Sequence, residues 1–233
     1  MKLDILAFGA HPDDVELGCS GTIYKHIKQG KKVGVVDLTQ GELGTRGNKE
    51  LRLTEAKNAS KVLKLSFRDN LGFKDGFFDS SEENLMKVMK VIRTHRPEII
   101  FSTSPDRHPD HGNAAALIKR ATFLSGLKKI ETPNLKEWRP KIVMSYIQDY
   151  YHSPDVVVDI TQEFERKISA IKSFSSQFYD PGSTEPETPI SSQDFFKFIE
   201  ARARSFGRII GTTFAEGFTV ERAIGIDNLF NLR

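Results

Sequence analysis

Two periods of hydrophobicity alternate along this chain. Short apolar, β-branched runs at residues 3–8 (LDILAF), 32–38 (KVGVVDL), 98–103 (EIIFST), 141–147 (KIVMSYI) and 155–160 (DVVVDI) are nearly continuous, as strands buried on both faces require. Between them, residues 15–29, 50–64, 82–96, 111–125 and 161–175 carry apolar positions three and four apart, as Leu85, Val88, Met89 and Ile92 do, which is the period of a helix with one buried face. Strand and helix in alternation predict an α/β fold with a doubly wound, mostly parallel, Rossmann-like sheet and helices on both faces. Gly30 and Pro97 fall where helices should stop. The stretch 175–193 (SSQFYDPGSTEPETPISSQ) is rich in Pro, Ser, Thr and Gly and predicts a long lid-like loop, followed by a last helix over about 194–210. No internal repeat or low-complexity tract divides the chain, so residues 1–233 are expected to form a single domain.

Composition changes this picture little. A chain of 233 residues can bury a substantial core without disulfides or structural metals. Apolar content of 38% beside 28% charged residues is ordinary for a globular protein, and no run approaches the ~18 apolar residues of a membrane span. The opening MKLDILAFGAH has Asp4 inside its apolar run and no cleavage-site pattern after it, so it reads as a first strand and the expected location is the cytoplasm. A net charge of +3 spread among acids argues against a nucleic-acid surface. The one cysteine, Cys19, excludes an intramolecular disulfide and a cysteine-built zinc site, and is expected as a small buried residue within its helix.

Candidate chemistry concentrates in two loops. Both GAHPDD (9–14) and SPDRHPDHGN (104–113) follow predicted strands, at the carboxyl ends where open α/β sheets bind ligands. They hold His11, His108 and His111, three of the six histidines, with Asp13, Asp14, Asp106 and Asp110. Imidazole nitrogen and carboxylate oxygen suit zinc, and a catalytic zinc site takes three protein ligands and keeps a position for water. His11, Asp14 and His111 make that set. Asp13 beside them can then serve as general base, His108 can support an oxyanion or a leaving group, and Asp110 can orient His108. Either loop by itself also has a plain structural reading as an Asp-rich helix cap; the pair at one end of the sheet favours a metal site. His26, His95 and His152 have no such company and are expected at the surface or an interface.

The segments AHPDDVELGCSGTI and HPDHGNAA resemble the two signature motifs of the LmbE-like/PIG-L family of zinc-dependent N-acetylglucosamine deacetylases. GELGTRG (41–47), ELRLTEA (50–56), NLGFKDG (70–76) and SFSSQF (173–178) extend the resemblance over most of the chain, nearest to the branch that makes bacillithiol. The resemblance implies hydrolysis of an acetamide on N-acetylglucosaminyl malate, with diacetylchitobiose as an alternative substrate. It implies zinc, or iron(II) in the same ligand set, at His11, Asp14 and His111, with Asp13 as base, His108 acting on the amide and Asp110 as its partner. Arg52 would contact the substrate, where a guanidinium suits a malyl carboxylate. It also implies a homo-oligomer, such as the hexamer that relatives in this branch suggest, acting on a small sugar conjugate with no nucleic-acid or membrane partner. Some relatives use a tyrosine from a flexible segment; here Phe195 and Phe196 stand in that region. Two other classes compete. A His-His-carboxylate set also serves non-haem iron(II) oxygenases. A nucleotide-binding module on the same sheet would want G-x-G-x-x-G where this chain has Gly9 and then Pro12.

Overall fold

The computed structural model describes residues 1–232; Arg233, the last residue of the expected single domain, lies outside the described residues. Seven strands form one sheet: β1 (Ile5–Gly9), β2 (Val33–Thr39), β3 (Phe67–Phe73), β4 (Ile99–Thr103), β5 (Ile142–Tyr146), β6 (Val156–Asp159) and β7 (Ala215–Thr219). Among the described residues six α-helices accompany them: α1 (Asp14–Lys28), α2 (Lys49–Leu63), α3 (Glu82–His95), α4 (Pro109–Ser125), α5 (Phe164–Ile171) and α6 (Gln193–Ile210). The strand order is β3-β2-β1-β4-β5-β7-β6, parallel from β3 to β5, with β7 antiparallel to both of its neighbours.

The order reverses direction at β1. From β1 the chain winds outward to β2 and β3, then returns to lay β4 on the other side of β1, with Ile5 opposite Ile99 and Ala7 opposite Phe101. This is a topological switch point, where the loops leaving β1 and β4 part to opposite faces and open a crevice. Both His-Pro-Asp loops leave those two strands. Strands β1 and β2 are buried at every position. One layer packs α3 and α4 on the sheet through Leu85, Val88, Ile92, Leu117 and Ile118; α1 and α5 cover the other. No helix among the described residues is long and apolar enough to cross a membrane.

Several expectations are corrected. β3 and β7 were not foreseen: FRDNLGF is polar because it is a half-exposed edge strand, and AEGFT is short and carries Glu216 and Gly217. The helix expected over 161–175 is confined to Phe164–Ile171. Beyond it the backbone turns toward α2, where Glu55 accepts Ser176 N–H at 2.7 Å and Ser176 Oγ–H at 2.7 Å. His95 is not a surface residue: it is 7% exposed, bonds Met1 O through Nδ1 at 2.9 Å and packs on Phe67.

Candidate metal centre

The loop after β1 is short and forced. Asp13 caps α1 with φ at 126°, a left-handed region that non-glycine residues rarely enter and that is stored mainly at functional sites. Holding it there turns Asp13 and Asp14 to different tasks. Asp14 Oδ2 accepts His11 N–H at 2.8 Å, and its Oδ1 lies 3.0 Å from His111 Nε2 and accepts Gln148 Nε2–H at 2.8 Å. His11 Nδ1 is 3.6 Å from Asp14 Oδ2. The second loop is closed by Pro109 at the start of α4, with His108 as the cap whose Nδ1 accepts Asp110 N–H at 3.3 Å. Nitrogens of His11, His108 and His111 converge within 4.8 Å of one another.

Both imidazoles beside Asp14 are gripped from behind. His111 Nδ1 meets Asp106 Oδ1 at 2.6 Å, and His11 Nε2 meets Asp75 Oδ1 at 2.9 Å. Carboxylates on the far ring nitrogens are the arrangement that fixes tautomer and direction in metal-binding histidines. Asp110 differs from expectation in detail: its carboxylate accepts Gly76 N–H at 2.8 Å and lies 3.4 Å from His11 Nε2, while its backbone amide is what touches His108. Asp75, Gln148 and the role of Asp106 escaped the sequence reading. Asp75 follows β3 and Gln148 follows β5, so recognising β3 as a strand would have pointed to GFKDG as a third loop at this end of the sheet.

The electrostatics are those of carboxylates crowded around imidazoles. Burial works against a charged His11, but Asp110, Asp14 and Asp75 outweigh it and hold the ring well above its ordinary value. His111 is likewise carried to about 10, burial opposing and Asp14 and Asp106 prevailing. Burial raises Asp14, yet the two imidazoles hold it well below the carboxylate range. Asp13, pushed up to about 7 by burial, is opposed by the Arg52 guanidinium and helped by Asp14. His108 moves down, through burial and then the neighbouring His11 and His111. The donor set fits a divalent cation: two oriented imidazoles, a carboxylate between them, and buried oxygens of Asp110 (Oδ1) and Gln148 (Oε1) that have no hydrogen-bond partner.

Arg52 reaches this group from α2. Its Nη2 donates to Asp13 Oδ2 at 3.1 Å and to Gln177 Oε1 at 2.5 Å, and Nη1 donates to Gly41 O at 3.4 Å. Position 41 must be glycine: φ is 64°, and a Cβ there would overlap Arg52 Nη1. The residues open into a cavity of about 270 Å³ whose apolar wall is Leu17, Leu43, Ile190 and Phe195, with Arg107 and Asp149 paired at 2.8 Å. Phe195 thus lines the cavity, whereas Phe196 packs edge-on against Phe178. The predicted loop forms part of the wall and is stitched to residues 41–48, Glu185 accepting Gly47 N–H at 3.0 Å and Ser183 accepting from Arg46 at 2.7 Å. Cys19 is fully buried, as expected.

Known proteins are similar to this chain over most of its length. Over 225 residues the chain is 29% identical to diacetylchitobiose deacetylase of Thermococcus kodakarensis, covering 91% of this chain and 81% of that protein. It is 26% identical to a probable N-acetyl-alpha-D-glucosaminyl L-malate deacetylase 2 of Bacillus cereus, covering 76% and 84%. The crystal structure of a conserved protein from Thermus thermophilus has a TM-score of 0.85 at 32% identity, covering 97% of this chain and 98% of that one. The profile of GlcNAc-PI de-N-acetylase, PIG-L, matches residues 6–122, a span that runs from β1 through both His-Pro-Asp loops and most of α4. The chain therefore belongs to the PIG-L family of deacetylases, enzymes that hydrolyse amide bonds.

Proposed function

We propose that this enzyme removes the acetyl group from an N-acetylglucosamine glycoside, releasing acetate and the sugar amine, with zinc held by His11, Asp14 and His111. The observation that carries the reading is the division of labour at the β1 loop: Asp14 lies between two oriented imidazoles while Asp13, its neighbour, faces Arg52 instead. Bound zinc supplies Lewis-acid polarisation of the acetyl carbonyl and lowers the pKa of water toward about 7. Asp13 takes the proton from the attacking water, and Arg52 holds that carboxylate in place through Oδ2. His108 has Nδ1 occupied by the Asp110 amide, which leaves Nε2 to donate to the oxygen that gains charge. The C–N bond breaks as the amine nitrogen receives the proton that Asp13 removed.

Arg52 bears on the identity of the second group on the sugar. A malyl carboxylate would want a free guanidinium, and this one is engaged by Asp13, Gln177 and Gly41. The apolar wall of Leu43, Ile190 and Phe195 suits the face of a neutral sugar ring instead, which supports a diacetylchitobiose-type substrate. A malyl conjugate is the second reading, favoured by Arg107 at the cavity wall, whose partner Asp149 is a partly exposed residue. Amine release from diacetylchitobiose, N-acetylglucosaminyl malate and free N-acetylglucosamine by the zinc-loaded protein decides. A higher kcat/KM on the disaccharide is expected; preference for the malate transfers the assignment to the second reading, and no amine from any of them removes the deacetylase proposal.

A further inference from the structure

Helix α1, which begins at Asp14, is broken. Cys19 has φ −146° and ψ 16°, outside the helical range, and two glycines flank it where the helix presses on the sheet. A Cβ at Gly18 would overlap the Tyr146 ring, and one at Gly21 would stand 2.7 Å from Ile160 Cδ1. In an unbroken helix Gly21 N–H would bond to Leu17 O and Thr22 N–H to Gly18 O. Here Gly21 N–H and Thr22 N–H donate to the Glu216 carboxylate, at 3.0 and 2.7 Å. On the other side of the break, Lys167 Nζ donates to Leu17 O at 2.7 Å and to Glu16 O at 3.4 Å. The two side chains meet each other at 2.6 Å, and each residue is at most 3% exposed.

We propose that Lys167 of α5 and Glu216 of β7 are positioning residues for the active site: their buried ion pair is spliced into the interrupted hydrogen-bond ladder of α1 and fixes the turn that carries Asp13 and Asp14. The carboxylate serves buried N–H groups that open the second half of the helix, where negative charge is favoured, and the ammonium serves the carbonyls that close the first half. The connection to the site is short. Leu17, whose carbonyl Lys167 holds, donates its own N–H to Asp13 O at 2.9 Å and lines the cavity. A break without the splice would leave the first turn free to rotate about Cys19, and with it the carboxylate that meets His111 at 3.0 Å. A buried ion pair is by itself weak evidence for stability; this one bonds named backbone groups of the helix that carries Asp14 and follows Asp13.

The inference rests on the reading of Asp14 as a metal ligand, and its test separates the two. Full-length Glu216→Gln and Lys167→Met are compared with Leu85→Ala, a core truncation in α3 on the opposite face, by amide hydrogen exchange and by zinc titration of metal-free protein. Glu216→Gln is expected to stay folded, to speed exchange over residues 13–22 selectively, and to weaken zinc binding by about tenfold or more, the size of effects seen when ligand-orienting groups are lost. Leu85→Ala should lower the melting temperature and leave zinc affinity unchanged. Equal zinc affinity in Glu216→Gln and the parent, or exchange that rises uniformly over the whole molecule, overturns the proposal. If the parent protein takes up no zinc, the metal reading fails by itself, while selective or unselective exchange over residues 13–22 still decides the splice.

Discussion

At the scale of single residues, the site is a set of like groups made unlike by their partners. Asp13 and Asp14 are adjacent and both buried, yet one is pushed up to about 7 and the other held well below the ordinary range, because Asp14 lies between His11 and His111 while burial dominates at Asp13. Environments that drive two carboxylates apart are the usual basis for assigning a base and a ligand. Replacing Asp13 with Asn should therefore leave zinc binding close to that of the parent and reduce kcat by about 10²–10⁴-fold, the contribution of a general base. Steady-state kinetics beside metal analysis of the purified variant checks it; near-normal turnover would remove Asp13 from the role. These two residues were legible in the sequence, since HPDD at a strand end is local. The partners Asp75 and Gln177 were not assigned, because a hydrogen bond between residues 64 or 125 positions apart leaves no mark on spacing.

At the scale of elements, boundaries came through where a local signal marks them. Gly30, with φ at 82°, follows the end of α1, and Pro97 separates α3 from β4. The break in α1 is different: it lies beside Gly18, where the helix meets Tyr146, whose ring fills the space a Gly18 side chain would need. Tyr146 cannot yield easily, because it is fully buried and its hydroxyl donates to Phe8 O at 2.9 Å. Gly18→Ala should overpack this contact and lower stability by about 1–3 kcal/mol, read from a denaturant melt. An unchanged midpoint would mean that α1 can move off the sheet. β3 and β7 were missed for a related reason. Arg68 on β3 looks like a surface residue in sequence, yet it turns inward to bond Asp37 at 2.9 Å and Glu16 at 2.6 Å.

At the scale of the whole molecule, the sheet order does the assembly. β1 and β4 are neighbours only because the chain reverses at the switch point, and their two loops supply His11, Asp14 and His111 to one cavity. A cation bound there links segments about a hundred residues apart and binds only the folded chain. Zinc at roughly 100 times its dissociation constant should stabilise folding by about 2.7 kcal/mol, or about 5–10 °C in Tm for a chain of this size, and a chelator should reverse it. A differential scanning melt with and without zinc checks this; an unchanged Tm would mean that the cluster takes up no zinc.

The sequence alone determined what depends on near neighbours: the alternation of strand and helix, the parallel α/β class, and two His-Pro-Asp loops at strand ends with the ligand types of a metal site. The tertiary structure decided what depends on distant contacts. It added the edge strand β3 and the antiparallel β7, put Asp75 behind the His11 imidazole, tied Arg52 to Asp13 and Gln177, and joined the halves of α1 through Lys167 and Glu216. The physical reason is one of range. Hydrophobic period and helix capping act over a few residues and are written into local order, whereas hydrogen bonds between buried charges form only after the core has brought remote segments together.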